Sequence, residues 1–300
     1  MRSYINFCSL RLDFAFTILA IAGIYNILHY TIDEQYIVFG KSSQENHDEE
    51  RAGEENNLNK TPEDHGREKL AIITFDDGEK GQIEYAKPIL DKYNFPATFF
   101  IVCNFVSEDN EEGDNAHMSW SDILMLQDSG YEIGSHTMNH DNLDELSEEQ
   151  AEKEVVDSKK CLENNGVNTV RAFSYPFNGG YENEAIVSKI AKHYEIARNA
   201  TDPLAFLDPV HGKYSIMGWS HDSSRDDYPS DEDMLKRFVE VVESQSEYNA
   251  NGKIKAIPVL VYHNIGHESS DYTSSIGLFE SEMKYLKENG FKVISLSDLI

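Results

Sequence analysis

The chain has 300 residues and a formal net charge of -28, and these two features already restrict its function. The length allows one large domain or two small ones. A phosphate backbone needs a basic surface, so the charge argues against nucleic-acid binding, whereas it attracts divalent cations. The three cysteines, Cys8, Cys103 and Cys161, are too few and too scattered for a disulfide framework or a thiolate metal site. Cys103 follows an apolar run and is predicted to be a buried, small apolar residue.

The N-terminal segment, residues 1–30, combines Arg2 and Arg11 with an apolar run from Phe14 to Leu28. This pattern is typical of a secretory signal or a retained signal anchor. The run is shorter than the roughly 20 residues that cross a bilayer comfortably, and no clear small-x-small cleavage site follows it. A cleaved signal and a merely buried helix therefore stay open, but we favour a membrane anchor. The protein is expected to be extracytoplasmic, either membrane-anchored or secreted.

Residues 41–68 are rich in Glu, Asn, Asp and Gly and contain almost no large apolar residue. Such a composition cannot bury enough apolar surface to fold, so it predicts a disordered acidic linker. Residues 69–300 follow without a further linker and are predicted to form one domain.

Within residues 69–300, short β-rich runs alternate with helical patterns. The predicted strands are Leu70–Phe75, Ala97–Val102, Glu132–Ser135, Ala172–Tyr175, Ile196–Arg198, Ile216–Trp219, Val259–Tyr262 and Lys292–Leu296. The predicted helices are Gln82–Tyr93, Trp120–Ser129, Glu148–Asn164, Asn183–Lys192, Asp231–Gln245 and Phe279–Asn289. Repeated βα units imply a parallel sheet, so the fold class is α/β, with a distorted seven- or eight-stranded TIM-like (β/α) barrel.

Reactive side chains follow several of the predicted strands, at the barrel end where chemistry gathers. Asp76 and Asp77 follow the first strand, and His136 and His140 follow the third. Two adjacent carboxylates repel each other, so they favour a bound cation or a neutral acid, although Asp-Gly is also a common hairpin turn. Two histidines four residues apart can chelate one ion if their loop coils for one turn, and a carboxylate from another strand end would complete the site.

The sequence TFDDG at residues 74–78, together with His-Thr-x-x-His at residues 136–140, resembles the polysaccharide deacetylase family (carbohydrate esterase family 4, the NodB homology domain). The resemblance covers residues 69–300. It implies that Asp76 is the general base and that Asp77, His136 and His140 bind one divalent transition metal ion. That ion is most often zinc, and cobalt, manganese or nickel are also compatible.

The segment Phe-Ser-Tyr-Pro-Phe-Asn-Gly, residues 173–179, resembles the third motif of this family. It implies that the backbone N–H of Phe177 stabilises the oxyanion and that Tyr175 and Pro176 lie at the substrate. Asn178 adds one residue to the common form of the turn. Many members have an arginine directly before the turn that pairs with the base. Here Arg171 precedes Pro176 by five residues, so whether it reaches Asp76 is left open.

The last motif is matched by Leu-Val-Tyr-His at residues 260–263, which implies that His263 is the general acid. Trp219 resembles the aromatic residue of the fourth motif, a substrate-binding position, although core packing explains it equally well. Asp222, Asp226 and Asp227 could orient His263, although so acidic a loop is more often simply solvated. The remaining histidines at positions 117, 193, 211, 221 and 267 have no assigned partner and are predicted to lie on the surface or in loops.

The resemblance implies a hydrolase that removes N-acetyl groups from a polysaccharide of the N-acetylglucosamine type. A metal-activated water would attack the acetamide, with Asp76 as base and His263 as acid. Two alternatives remain: the same metal site could act on another amide or an O-acetyl ester, or the domain could bind carbohydrate without catalysis. The latter is disfavoured because a binding module does not need this whole set of reactive residues together.

Overall fold

The computed structural model of the chain describes residues 68–107, 116–207, 212–224 and 227–300. The predicted N-terminal segment and nearly all of the predicted acidic linker lie outside these residues. In the described part, no helix combines the length and the apolar character that crossing a membrane requires.

Eleven strands are present in the described residues, and most belong to one curled sheet. They are β1 (Lys69–Phe75), β2 (Thr98–Ile101), β3 (Glu132–Ser135), β4 (Ala172–Ser174), β5 (Ile196–Arg198), β6 (Leu204–Phe206), β7 (Trp219–Ser220), β8 (Ala256–Tyr262), β9 (Asn264–Gly266), β10 (Thr273–Ser275) and β11 (Phe291–Ile294). All eight predicted strands are thus present within a few residues, whereas β6, β9 and β10 were not predicted.

The sheet curls into a ring of seven parallel strands. The order β5-β4-β3-β2-β1-β8 is parallel throughout, and β7 pairs parallel with β8. A parallel bridge between Arg198 and Ile216 joins β5 to the segment that leads into β7. The predicted (β/α) barrel is therefore confirmed. Two strands complicate it: β11 pairs with the first half of β1, and β6 runs antiparallel along the first half of β8.

The central strands β1 and β8 are buried almost completely, as expected for parallel strands covered on both faces. Six α-helices are present in the described residues: α1 (Lys87–Tyr93), α2 (Trp120–Asp128), α3 (Glu148–Asn164), α4 (Glu184–His193), α5 (Asp231–Ser244) and α6 (Ile276–Glu288). Capping boxes at Ser119 with Asp122 and at Ser147 with Gln150 start α2 and α3, as their spacing predicted. The predicted helix over residues 82–93 begins instead with a π-helical turn, Gln82–Ala86.

The strand register determines which residues meet at the carboxyl edge of the barrel. Phe75 of β1 lies beside both Phe99 of β2 and Tyr262 of β8. Asp76 and His263 follow the β1–β8 pair directly, so these distant residues emerge side by side. Ser135 pairs in the same way with Phe173, which brings the histidine loop next to the turn after β4.

One prediction about the cysteines is wrong. Cys103 and Cys161 form a disulfide, with their Cα atoms 6.5 Å apart and 58 positions between them in sequence. Cys103 is buried, as expected, but it is bonded to α3 rather than packed as a free thiol. Because the two cysteines are remote in sequence, only the fold brings them together.

Candidate active site

A cavity of about 370 Å³ opens at the carboxyl edge of the barrel and collects most of the predicted site residues. Its wall includes both predicted carboxylates and all three predicted histidines, namely Asp76, Asp77, His136, His140 and His263. Tyr175 and Phe177 also line it, whereas Arg171, Pro176 and Trp219 do not. The volume is within the range of about 300–1,000 Å³ that is usual for small-ligand sites.

Asp77, His136 and His140 form a compact cluster of potential metal ligands. One donor atom from each lies within 4.8 Å of the others. Asp77 Oδ1 is 3.2 Å from His140 Nε2 and 3.5 Å from His136 Nε2. The three side chains therefore converge from two different strand ends.

The histidine loop is held by specific hydrogen bonds. His136 Nδ1 lies 2.9 Å from the carbonyl oxygen of Ser174, so Nδ1 carries the proton and the lone pair of Nε2 faces Asp77. Thr137 Oγ1 accepts the backbone N–H of His140 at 3.0 Å. These bonds fix the ring orientation of His136 and the backbone position of His140.

Glu154 of α3 supports the same loop from outside the cavity. Its Oε2 accepts the backbone N–H groups of Met138 at 3.0 Å and Asn139 at 2.9 Å. Both N–H groups belong to the stretch between the two histidines. A buried carboxylate on a barrel helix therefore fixes the spacing of His136 and His140.

The chemistry of the cluster fits a divalent cation. Asp77 Oδ1 is buried and accepts no hydrogen bond from the described residues, which is costly for a carboxylate unless a cation compensates. Burial, assisted by the neighbouring Asp76, raises the pKa of Asp77. Burial also lowers the pKa of His136 and of His140, which favours the neutral imidazoles that bind metals. A bound cation would stabilise the ionised form of Asp77.

Asp76 is a buried carboxylate that is held in its charged form. Burial alone would raise its pKa, but Arg198, His136 and His263 act in the opposite direction and lower the pKa of Asp76 to about 2. Arg198 Nη2 donates a hydrogen bond to Asp76 Oδ1, and Ser174 Oγ lies 3.4 Å from Oδ2. Asp76 is thus ionised at neutral pH.

The arginine that pairs with Asp76 is Arg198, and the prediction of Arg171 is wrong. Arg171 is partly exposed, and its Nη2 lies 2.9 Å from Glu195 Oε2. Arg198 is only 1% exposed, ends β5 and packs with its Cζ 4.9 Å from the ring centroid of Phe100. The signal for Arg198 was present in the sequence, since the predicted strand Ile196–Arg198 ends on this charged residue at the reactive edge of the barrel.

His263 is oriented by Asp222. Its Nδ1 lies 2.8 Å from Asp222 Oδ1, and its backbone N–H donates to Asp222 Oδ2 at 2.6 Å. Burial would lower the pKa of His263, but the contact with Asp222 raises it to about 9. Asp222 is therefore the residue that orients His263 among the three aspartates considered, and Asp226 lies outside the described residues.

Gln82 joins the two reactive strand ends and was missed by the sequence analysis. This fully buried side chain donates from Nε2 to the carbonyl oxygens of Asp76, at 2.5 Å, and His263, at 2.6 Å. Gln82 opens the π-helical turn, and such turns occur often at functional sites. A glutamine in a helical pattern gives no signal of this role.

The turn after β4 has an unusual backbone. Phe177 and Asn178 both adopt positive φ angles, 54° and 60°, and Asn178 Oδ1 accepts the backbone N–H of Ala200 at 2.6 Å. The Phe177 side chain is 67% exposed, and its ring centroid lies 4.6 Å from that of His140. Tyr175 is buried and donates through its hydroxyl to the carbonyl oxygen of Tyr214, while Pro176 is buried beneath the turn.

Trp219 and His221 are both buried and do not line the cavity. Trp219 is 7% exposed and packs in the core, with Nε1 donating to Ser224 Oγ at 3.1 Å, so it does not reach the cavity. His221, predicted to lie on the surface or in a loop, does follow β7 in a loop but is fully buried, with Nε2 2.6 Å from Glu282 Oε1. Strand-end position alone does not distinguish a side chain that faces the cavity from one that faces the helices.

Comparisons with known proteins find relatives in sequence and in fold. The family model described as Polysaccharide deacetylase matches residues 63–197. A peptidoglycan-N-acetylglucosamine deacetylase of Bacillus cereus (strain ATCC 14579) is 27% identical over 237 residues, which cover 78% of this chain and 89% of that protein. The polysaccharide deacetylase candidate YxkH of Bacillus subtilis (strain 168) is 30% identical over 149 residues, and the aligned part covers half of each protein.

Solved structures share the fold at lower identity. The peptidoglycan deacetylase PdaC of Bacillus subtilis aligns with a TM-score of 0.51 and 18% identity, over 77% of this chain and 90% of that chain. A CE4 family pseudoenzyme of Bacillus anthracis aligns with a TM-score of 0.53 and 21% identity, over 78% of this chain and 66% of that chain. Because the same fold occurs in a deacetylase and in a pseudoenzyme, the fold alone does not establish activity.

Proposed function

We propose that this chain is a metal-dependent hydrolase of the polysaccharide deacetylase family that removes N-acetyl groups from an N-acetylated glycan, and the family match at residues 63–197 supports this proposal. A polysaccharide of the N-acetylglucosamine type is favoured, because the relative that aligns over most of this chain is named for that sugar. One observation carries the proposal: a single cavity holds an ionised carboxylate, an aspartate-oriented histidine and a three-residue ligand cluster.

Asp77, His136 and His140 would hold the metal ion. When bound, a divalent transition ion acts as a Lewis acid that makes water more acidic and a carbonyl carbon more electrophilic. Two imidazoles and one carboxylate suit zinc well, and cobalt, manganese and nickel accept the same ligand types.

Asp76 is proposed as the general base. Because its carboxylate is ionised at neutral pH and faces the cavity, it can accept a proton as a water oxygen attacks the acetamide carbon. Arg198 holds Oδ1, which leaves the side chain in one fixed orientation.

His263 is proposed as the general acid. Its Nδ1 contacts Asp222, and the raised pKa of His263 keeps the ring protonated at neutral pH. Nε2 can therefore donate its proton to the amide nitrogen while the carbon–nitrogen bond breaks. Water supplies the new carbon–oxygen bond, so the products are acetate and a free amine on the sugar.

The turn after β4 is proposed to receive the developing oxyanion. The backbone N–H of Phe177 is the donor that the motif indicates, and Tyr175 and Pro176 fix the turn next to the cavity. Phe177 and Asn178, which both have positive φ angles, line the cavity.

We further propose an extracytoplasmic location. The disulfide between Cys103 and Cys161 supports it, since disulfides persist in oxidising compartments and are rare in the cytosol. The apolar N-terminal segment remains a proposed membrane anchor.

The test is acetate release from N-acetylglucosamine oligomers by the full chain, measured after chelation and after addition of zinc, cobalt or manganese. We expect release to be lost with the chelator and restored by metal. Asp76→Asn should bind metal but release no acetate.

Acetate release at the full rate by Asp76→Asn would contradict the proposed base. Metal binding without acetate release from any oligomer would favour a different amide or an O-acetyl ester as substrate. The absence of metal binding would favour a carbohydrate-binding domain without catalysis.

A further inference from the structure

Two exposed aromatic side chains stand at the mouth of the cavity. The exposed large hydrophobic side chains in the described part of the chain are Met125, Phe177, Tyr248, Tyr272 and Ile300. Of these, Phe177 and Tyr272 line the cavity, at 67% and 55% exposure. Single exposed aromatics are ordinary on a protein surface, but two at one cavity mark a ligand surface.

Both residues have a backbone conformation that bulky side chains rarely adopt. The φ angles are 54° at Phe177 and 59° at Tyr272, in the left-handed region. The structure holds Tyr272 there, because its carbonyl oxygen accepts the N–H of Asn264 at 3.0 Å and the next residues pair with β9. Such unfavourable conformations concentrate at functional sites.

Each aromatic ring lies beside a different part of the reactive apparatus. The ring centroid of Phe177 is 4.6 Å from that of His140, in the proposed metal cluster. The ring of Tyr272 meets that of His263, the proposed acid, at 4.9 Å with an interplanar angle of 80°. A substrate unit that reaches both groups must therefore pass both rings.

The chemistry of this surface fits a pyranose ring. The C–H groups on the faces of a pyranose are apolar, and an aromatic face carries negative charge density that attracts them. The cavity floor has carboxylates and imidazoles, which suit the polar substituents on the edge of the sugar. Aromatic walls above a polar floor match both properties.

We propose that Tyr272 and Phe177 form a binding subsite for the N-acetylhexosamine unit that undergoes reaction, with Tyr272 as the wall on the acid side. This inference rests on the proposed function, which supplies the sugar, and adds residues that recognise it. The aromatic ring of Tyr272, and not its hydroxyl group, makes the contact with the pyranose.

The test uses the full chain with zinc and an N-acetylglucosamine pentamer. The dissociation constant is measured by calorimetry in the Asp76→Asn background, where binding is separated from turnover. We expect Tyr272→Ala to weaken binding about tenfold, the equivalent of losing one aromatic contact, and Tyr272→Phe to bind like the parent. Tyr248→Ala is the matched control, since this exposed tyrosine packs on Phe206 away from the cavity and should not matter.

A second variant separates the aromatic ring from the backbone. Asparagine tolerates positive φ angles, so Tyr272→Asn should keep the loop and its thermal stability while losing the same affinity as Tyr272→Ala. Pentamer binding that is unchanged in both Tyr272→Ala and Tyr272→Asn would overturn this inference, as would a parent chain that does not bind the pentamer. If pentamer binding depends on Tyr272 but the parent chain releases no acetate, the proposed reaction would be wrong while the proposed subsite would be supported.

Discussion

The contrast between Arg171 and Arg198 shows what a motif can and cannot locate. Asp76, Asp77, His136, His140 and His263 were all found from short patterns that follow strands, and all five line one cavity. The arginine that belongs with them stands after a different strand, outside any local motif. A charge that acts through space therefore has to be found from the order of the strands rather than from sequence spacing.

Replacing Arg198 should change the pH dependence of catalysis. The guanidinium lowers the pKa of Asp76, so in Arg198→Met that pKa rises and the base becomes protonated at higher pH. We expect the acidic limb of the kcat/KM profile to move to higher pH by about one to three pH units, while the carboxylate stays ionised at neutral pH. Arg198→Lys should shift the limb less.

Arg171→Met serves as the control for this series. Its partner Glu195 is on the surface, so its profile should coincide with that of the parent. An acidic limb that moved in Arg171→Met and stayed in place in Arg198→Met would contradict the pairing described here. Circular dichroism would check that each variant is folded.

Gln82 gives a second prediction at the level of one side chain. Gln82→Met keeps the volume but removes the donor that holds the carbonyl groups of Asp76 and His263 together. We expect kcat to fall about tenfold with little change in KM, because alignment of base and acid is lost while substrate contacts remain. Gln127→Met on α2, which also loses backbone hydrogen bonds, should leave kcat unchanged. Equal kcat in the two variants would show that Gln82 has no positioning role.

Among the secondary-structure elements, the helices were predicted best because their ends carry chemical signals. Ser119 and Ser147 cap α2 and α3, and Gly130 and Gly166 follow them with φ angles of 90° and 100°. The short strands β9 and β10 were missed because they pair with each other outside the barrel, and no run of apolar residues marks them.

Helix α3 is predicted to control metal affinity through Glu154. In Glu154→Gln, the side chain has one acceptor oxygen instead of two, so it cannot keep all its bonds to the loop between the histidines. We expect the dissociation constant for zinc to rise about 10–100-fold, the usual effect of removing support from a metal ligand. Competition with a chromogenic chelator would measure it.

Glu152→Gln is a suitable comparison, because Glu152 is on the same helix and pairs with Lys189. Its zinc affinity should equal that of the parent. Identical zinc affinities in the parent and Glu154→Gln would show that α3 does not influence metal binding.

On the scale of the whole molecule, alternation of strands and helices was enough to predict the barrel but not how it closes. The seventh position of the ring is filled by a segment that forms a bridge to β5 at Ile216 and pairs with β8 through Trp219 and Ser220. Because this strand is short and interrupted, it has little hydrophobic periodicity that could predict it from sequence. Its position in the ring is set by its pairing with β5 and β8.

The disulfide should contribute substantially to the stability of the domain. It closes a loop across 58 positions, and chain entropy then predicts that Cys103→Ser with Cys161→Ser lowers the free energy of unfolding by about 4 kcal/mol. Urea unfolding of the parent and the double variant would measure this difference. Under reducing conditions the difference should disappear, and a difference that persisted in reductant would point to packing of the side chains instead.

The pairing of β1 with β8 has a consequence for the time at which the protein becomes functional. Phe75 and Tyr262 are paired in the sheet, so the residues that follow them, Asp76 and His263, are neighbours in space. In sequence they are 187 positions apart (263 minus 76). At a translation rate of about 5–20 residues per second, roughly 10–40 seconds pass between synthesis of the first residue and synthesis of the second. A nascent chain therefore carries only half of the proposed active site for most of its synthesis, and the site is complete only after β8 and His263 have been made.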